Sequence, residues 1–145
     1  LGADFVTVSK ASSMPAQQVK THEYPGLATD MQPPMTLLLT QCQGLSLMHE
    51  TVYEGRLFFV DQLNKMGAKI IMADPHRVFI DWPTMLYGQS ITSPDLRAGI
   101  TYVMAALIAQ GKSQIFNIHH IDRGYEALEK RLQAVGANIK RVQIN

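Results

Sequence analysis

Two hydrophobic rhythms alternate along this chain. A period of two, the mark of a half-buried strand, runs through residues 6–9 and again through 18–21. Tyr24-Pro25-Gly26 then reads as a turn. From Asp30 the spacing turns helical and runs to about Cys42, with Asp30 as the expected N-cap and Gly44 as the terminator. Residues 45–52 predict a strand. Residues 57–66 predict a second helix, because Phe58, Val60, Leu63 and Met66 share one face and Gly67 ends it. Residues 69–73 and 77–81 predict a hairpin across Asp74-Pro75. A loop is expected over 82–92. Asp95 then caps a long helix to Gln110, followed by a strand at 113–118, a helix at 124–135 and a last strand at 138–144.

The helix over 96–109 has almost no polar face: Ala98, Gly99, Ile100, Tyr102, Val103 and Met104 are followed by five more apolar residues. Such a helix is expected to be enclosed by protein. In an ordinary doubly wound sheet the helices keep a wet face, so the pattern points elsewhere.

The order of elements also recurs. Gly67-Ala68 and Gly136-Ala137 each follow a helical pattern, at an offset of 69. Arg56 pairs with Arg123 and Gly44 with Gly111 at an offset of 67, and Asp30-Met31-Gln32 pairs with Asp95-Leu96-Arg97 at 65. Four anchors in one order mark an internal repeat, with the drift absorbed by loops. A third copy of the helix-ending motif opens the chain at Leu1-Gly2-Ala3. The expected organisation is one partial domain over 1–145. Residues 1–23 are the tail of a preceding repeat and a connecting strand, 24–81 a first full repeat and 82–145 a second. The chain reads as a fragment that starts mid-unit.

Composition narrows the classes. At 145 residues, 46% hydrophobic and 17% charged, the chain can bury a core. A net charge of +1, without a run of like charges, gives no footprint for nucleic acid or a membrane surface. The longest apolar stretch, 102–109, is far short of a span. Cys42 is the single cysteine, so an intrachain disulfide is excluded and a cytoplasmic location is expected. His119 and His120 are adjacent, and on a strand they would face opposite sides. His22, His49 and His76 have no ligand spacing, so no metal site is expected.

Three strings carry a resemblance: Thr29-Asp30-Met31-Gln32, Glu50-Thr51-Val52-Tyr53-Glu54-Gly55-Arg56, and His120-Ile121-Asp122-Arg123-Gly124-Tyr125-Glu126. With Asp95-Leu96-Arg97 and the stretch 132–141, the chain from about 24 to 142 resembles the enolpyruvyl transferase family, in particular its UDP-N-acetylglucosamine branch. The shikimate 3-phosphate branch shares the fold without sharing these strings closely. The resemblance implies an α/β fold of repeated β-α-β-α-β-β units. These form part of an inside-out α/β barrel, with helices inside and sheets outside. It implies transfer of the enolpyruvyl group from phosphoenolpyruvate to the 3-hydroxyl of UDP-N-acetylglucosamine, with phosphate release and no cofactor. That reaction is the first committed step of peptidoglycan synthesis, and so of cell wall biogenesis, cell shape and cell division. The expected partners are those two substrates and the remainder of the same protein. The isolated chain would be inactive, and its under-covered helix implies a homodimer.

The resemblance also assigns roles. Asp30 would serve as base beside the attacking hydroxyl, whereas spacing alone favours an N-cap. Arg97 and Arg123 would hold phosphate and carboxylate, a task suited to the planar, permanently charged guanidinium. Their structural alternatives are ion pairs with Asp95, and with Asp122 or Glu126. Arg56 would lie near the nucleotide sugar, or else contact Glu54. Thr29, Val52, Tyr53 and Asp95 complete the expected substrate-binding set. Pro33 and Pro34 depart from the family pattern, where a small or polar residue is usual. Cys42 reads as a buried small side chain. The alternatives are a shikimate-type transferase or paralogue, and a non-catalytic module binding a nucleotide sugar or a protein.

Overall fold

A computed structural model describes residues 4–143. The Leu1-Gly2-Ala3 copy of the repeat motif lies outside the described residues. The chain runs β1 (Gln18–Lys20), a 3₁₀ turn (Thr29–Met31), α1 (Gln32–Leu39), β2 (Leu45–His49), α2 (Val60–Lys65), β3 (Ile70–Asp74), β4 (Arg77–Asp81), β5 (Ser90–Thr92), α3 (Leu96–Ile108), β6 (Gln114–Phe116), α4 (His119–Asp122) and α5 (Leu128–Ala134).

Four strands form one sheet in the order β1-β2-β4-β3, with β1 and β2 parallel and the β3–β4 hairpin antiparallel. Strands β5 and β6 form a parallel pair. One helix links the strands of each parallel pair, and these two helices, α1 and α3, pack side by side. The inner sheet face buries Met48, Ile70, Val78 and Ile80, while Leu45, Ile71 and Phe79 face outward. Period-two alternation therefore sorts the hairpin residues as their sequence spacing predicts. Helices lie on the inner side of the sheets and no barrel is closed among the described residues, so the fold class is α/β as expected, in partial form.

Four glycines share a backbone signature. Gly44 and Gly111 have φ of 101° and 89°, and Gly67 and Gly136 have φ of 108° and 93°. Each pair sits just past a helix, where a left-handed residue closes the last turn, and glycine carries no Cβ penalty there.

Several elements differ from expectation. Residues 6–9 form no strand: Phe5, Val6 and Val8 are exposed, and this end of the chain bonds to the segment before β2 at Met14, whose O accepts from Gln43 N–H, and at Ala16, whose N–H donates to Gln43 O. An alternating sequence makes a strand only where a sheet edge is there to pair with it. The described part of the last expected strand, 138–143, pairs with nothing either. Arg141 instead ties it down, with Nη1 2.9 Å and Nη2 2.6 Å from the Asp122 carboxylate. The expected loop over 82–92 contains β5, whose single apolar residue gave no period-two signal. Residues 54–59 are turns, so the second helix starts only at Val60, and Phe58 is exposed while Phe59 takes its place in the core. His119 and His120 open α4 rather than ending a strand, with ring centroids 4.1 Å apart.

Helix α3 is capped as its sequence predicts, with Asp95 accepting from the N–H groups of Arg97 at 2.7 Å and Ala98 at 3.0 Å. Tyr102 is buried and donates to Phe59 O at 3.0 Å. The helix is not fully enclosed, however. Met104, Leu107 and Ile108 form an exposed stripe along one face, continued on α1 by Leu38. Each of these residues needs a neighbouring element that the described residues do not supply.

Gly99 marks the tightest approach of α3 to α4. A Cβ there would lie 2.7 Å from Ile121 Cγ1 and would also strike Ser93 Oγ. Gly99→Val is therefore expected to cost roughly 1–3 kcal/mol through overpacking. A urea midpoint within error of the parent would refute that close packing.

Candidate active site

The site stands at the carboxyl ends of the parallel strands β1 and β2, the usual position for ligands in open α/β sheets. Thr21 follows β1 directly, Glu50 follows β2, and Thr21 N–H donates to His49 O at 2.9 Å. The 3₁₀ turn, the turns at 54–59 and the start of α3 converge above them.

Asp30 does not cap α1, contrary to expectation. The N-cap is Met31, without a side-chain cap bond, and Pro33 and Pro34 occupy the N2 and N3 positions. A carboxylate capping from residue 30 would accept from the amides of residues 32 and 33; Pro33 has none, and the Gln32 N–H donates to Thr29 O instead. Asp30 turns to two arginines instead. Its Oδ1 accepts from Arg56 Nη1 at 3.2 Å and from Arg97 Nε in a shorter bond. The hydrogen bond from Arg97, aided by the charges of both arginines, holds the Asp30 carboxyl below its ordinary range. The side chain is nonetheless 59% exposed, so these pairs add little to stability.

Arg56 is more enclosed. Its Nη1 also donates to Thr29 Oγ1 at 2.7 Å, and its guanidinium carbon lies 4.3 Å from the Tyr53 ring centroid, a cation–π contact. It makes no bond to Glu54. Arg97 bonds to Asp30 rather than Asp95, because the Asp95 carboxylate is taken by the amides of its own helix. Arg123, at the end of α4, is exposed and stands outside this cluster, and Asp122 is engaged by Arg141. Thus Thr29, Asp30, Tyr53, Arg56 and Arg97 are brought together, with Val52 beside them and Arg123 apart.

Two clefts flank the Asp30–Arg97 pair. The smaller, about 370 Å³, is lined by Thr29, Asp30, Val52, Tyr53 and Arg97 together with residues 22–24. The larger, about 900 Å³, lies between α2 and the start of α3 and is lined by Arg56, Phe58, Lys65, Asp95 and Arg97 among others. Arg97 therefore faces both clefts, with Asp30 on the smaller and Arg56 on the larger.

Sequence reasoning missed Glu50. This carboxylate is fully buried. Its Oε1 accepts from Thr21 Oγ1 at 2.9 Å, Val52 N at 2.8 Å and Tyr53 N at 3.1 Å, and its Oε2 accepts from Thr29 Oγ1 at 2.7 Å. Burial pushes the carboxyl upward, but the bonds from Thr29, Val52, Tyr53 and Thr21 outweigh it, and the group is held below its ordinary value. The signal was present in the Glu50-Thr51-Val52 string, yet a carboxylate at a strand end has no sequence mark that distinguishes it from a solvated one. No group of three His, Cys, Asp or Glu that could hold a metal ion occurs among the described residues. Cys42 is buried, and burial raises its thiol.

Residues 2–132 match the family described as EPSP synthase (3-phosphoshikimate 1-carboxyvinyltransferase), and the chain belongs to that family. Within it, the chain is similar to proteins named UDP-N-acetylglucosamine 1-carboxyvinyltransferase. One from Bradyrhizobium diazoefficiens is 46% identical over 125 residues, covering 86% of this chain and 29% of the relative. One from Bacteroides fragilis is 48% identical over 122 residues, covering 82% and 28%. Among solved structures, the enolpyruvyl transferase NikO from Streptomyces tendae superposes with a TM-score of 0.82 at 28% identity, over 90% of this chain and 30% of that one. EPSP synthase from Acinetobacter baumannii, at 18% identity and a TM-score of 0.60, shares the fold over 79% of this chain and 27% of its own. The chain thus spans about three-tenths of the length of its relatives. No helix among the described residues is long and apolar enough to cross a membrane.

Because its folded value is depressed, Glu50 stabilises the fold fully above its ordinary value of 4.5. That contribution is lost as pH falls through the lower folded value. Urea midpoints between about pH 6 and about pH 3 are expected to fall more steeply for the parent than for Glu50→Gln. Parallel curves would show that Glu50 does not carry this linkage.

Proposed function

We propose that the protein containing this chain transfers the enolpyruvyl group of phosphoenolpyruvate to the 3-hydroxyl of UDP-N-acetylglucosamine, with release of phosphate. The observation that carries the reading is one carboxylate, Asp30, held between two guanidinium groups and flanked by two clefts. The names of the relatives support the acceptor. The chemistry is addition and elimination. The sugar hydroxyl oxygen bonds to C2 while a proton adds at C3. Loss of a C3 proton and of phosphate then restores the double bond on the transferred group.

In this reading Asp30 accepts the hydrogen bond of the attacking hydroxyl. Arg97, now paired with Asp30, takes an anionic end of a substrate. An anion on Arg97 draws the guanidinium from Asp30 and returns basicity to the carboxylate. Arg56 orients the sugar side, with Thr29, Val52 and Tyr53 lining the smaller cleft. Asp95 acts by holding the start of α3 and hence Arg97. The part of Arg123, a second cation for phosphate or carboxylate, rests on the resemblance alone. The general acid and the rest of the site belong to the remainder of the protein, so the chain by itself is inactive. The place of action is the cytoplasm and the product serves peptidoglycan synthesis, with cell wall, cell shape and cell division as the processes served.

Phosphate release by the full-length protein is expected with UDP-N-acetylglucosamine and not with shikimate 3-phosphate. Asp30→Ala is expected to lower it at least about 100-fold, the range of a lost general base. Release with shikimate 3-phosphate alone would move the assignment to the other branch. Equal turnover in Asp30→Ala would remove Asp30 from the mechanism.

The exposed stripe of Met104, Leu107, Ile108 and Leu38 supports a further part of the reading, self-association of the isolated chain. Sedimentation is expected to give a dimer that Leu107→Glu converts to monomer. A monomer in the parent chain would refute this.

A further inference from the structure

We infer that Glu50 is a positioning residue that sets the hydrogen-bond direction of Thr29 and thereby holds Arg56 against Asp30. The inference rests on the reading above only for its kinetic arm. The chain of contacts is continuous: Glu50 Oε2 accepts from Thr29 Oγ1 at 2.7 Å, Thr29 Oγ1 accepts from Arg56 Nη1 at 2.7 Å, and Arg56 Nη1 donates to Asp30 at 3.2 Å.

Directionality follows from what each group can do. An ionised carboxylate only accepts, and a guanidinium only donates. A hydroxyl between them has one proton, which the carboxylate claims. Its lone pairs are then left for Arg56. Glu50 is fully buried and its other oxygen is filled by Thr21 and two backbone amides, so it cannot swing away from Thr29. The Glu50 carboxylate thus lies beneath the site and acts on Arg56 without reaching the clefts. Its hold on Arg56 runs through the Thr29 hydroxyl alone, so it persists when Asp30 engages a substrate hydroxyl.

Glu50→Gln tests the direction rather than the shape. Three donors face one oxygen of the side chain, so the amide oxygen stays there and the NH₂ turns to Thr29. The NH₂ then donates to Oγ1, and the Thr29 proton is displaced toward Arg56 or out to solvent. In either case the ionised acceptor that fixed the hydroxyl is gone. Thr29→Val removes the same link while leaving three of the four donors to Glu50.

The experiment uses the full-length protein with ¹⁵N-labelled arginine. The Arg56 guanidinium N–H signals, assigned with Arg56→Lys, are expected to be protected from exchange in the parent and in Thr29→Ser. They are expected to be lost in both Glu50→Gln and Thr29→Val. Phosphate release is expected to fall roughly tenfold to a hundredfold in kcat/KM in each of these two variants, the scale of a misplaced binding group. The double variant is expected to lose no more than the worse single one, because the two changes break the same link. Arg56 signals unchanged in a folded Glu50→Gln would overturn the inference, as would losses that add in the double variant. If Glu50→Gln fails to fold, Thr29→Val decides through the same two measurements. If the parent releases no phosphate, the proposed reaction fails while the arginine signals still judge Glu50.

Discussion

A buried carboxylate must be answered by donors, and the way Glu50 is answered organises this end of the molecule. Its two oxygens collect a hydroxyl from the end of β1, a hydroxyl from the start of the 3₁₀ turn, and two amides from the loop after β2. Three separate segments are thereby bound to one charge. The Glu50 backbone is anchored as well: its N–H donates to His76 O at 2.7 Å, and its C=O lies 2.9 Å from His76 Nδ1. Removing the charge would free the 3₁₀ turn, the Tyr53 loop and, through Thr29, Arg56. Asp30 and Arg97 are comparatively exposed and depend on this floor for their placement.

Pro33 gains a meaning in this setting. It denies Asp30 one of the two amides that a cap would use, the Gln32 amide is taken by Thr29 O, and the carboxylate is left to Arg56 and Arg97. The aspartate paired with it in sequence, Asp95, is followed by residues with free amides and does cap its helix. Two aspartates at matching sequence positions therefore have opposite duties. One presents charge to the clefts and the other fixes the helix that brings Arg97 to meet it. The paired arginines diverge in the same way, since Arg56 is turned inward by Thr29 and Tyr53 while Arg123 points to solvent.

Much of the fold was legible in the residues. The all-apolar run and the Asp95 cap located α3. Alternation located β2 and the β3–β4 hairpin, and the glycines at 44, 67, 111 and 136 located helix ends, because each of these signals is local. The strands expected at 6–9 and 138–144 did not form in the described residues, because pairing depends on an edge elsewhere. The exposed stripe of α3 is the counterpart: hydrophobicity marked it for burial, but burial requires a neighbour. The strings Thr29-Asp30-Met31-Gln32 and Glu50-Thr51-Val52-Tyr53-Glu54-Gly55-Arg56, with Asp95-Leu96-Arg97, hold the residues that meet at the candidate site.

What the sequence by itself determined is therefore the α/β class, the family and the residue types available for anion and hydroxyl binding. These follow from periodicity and short motifs that each segment carries alone. Tertiary structure alone decided that Asp30 serves two arginines rather than a helix end, that Arg123 stands outside their cluster, and that Glu50 is a buried hub. Burial, partner and direction of a hydrogen bond belong to pairs of residues separated by 21 to 67 positions, and chain order does not encode which such pairs meet.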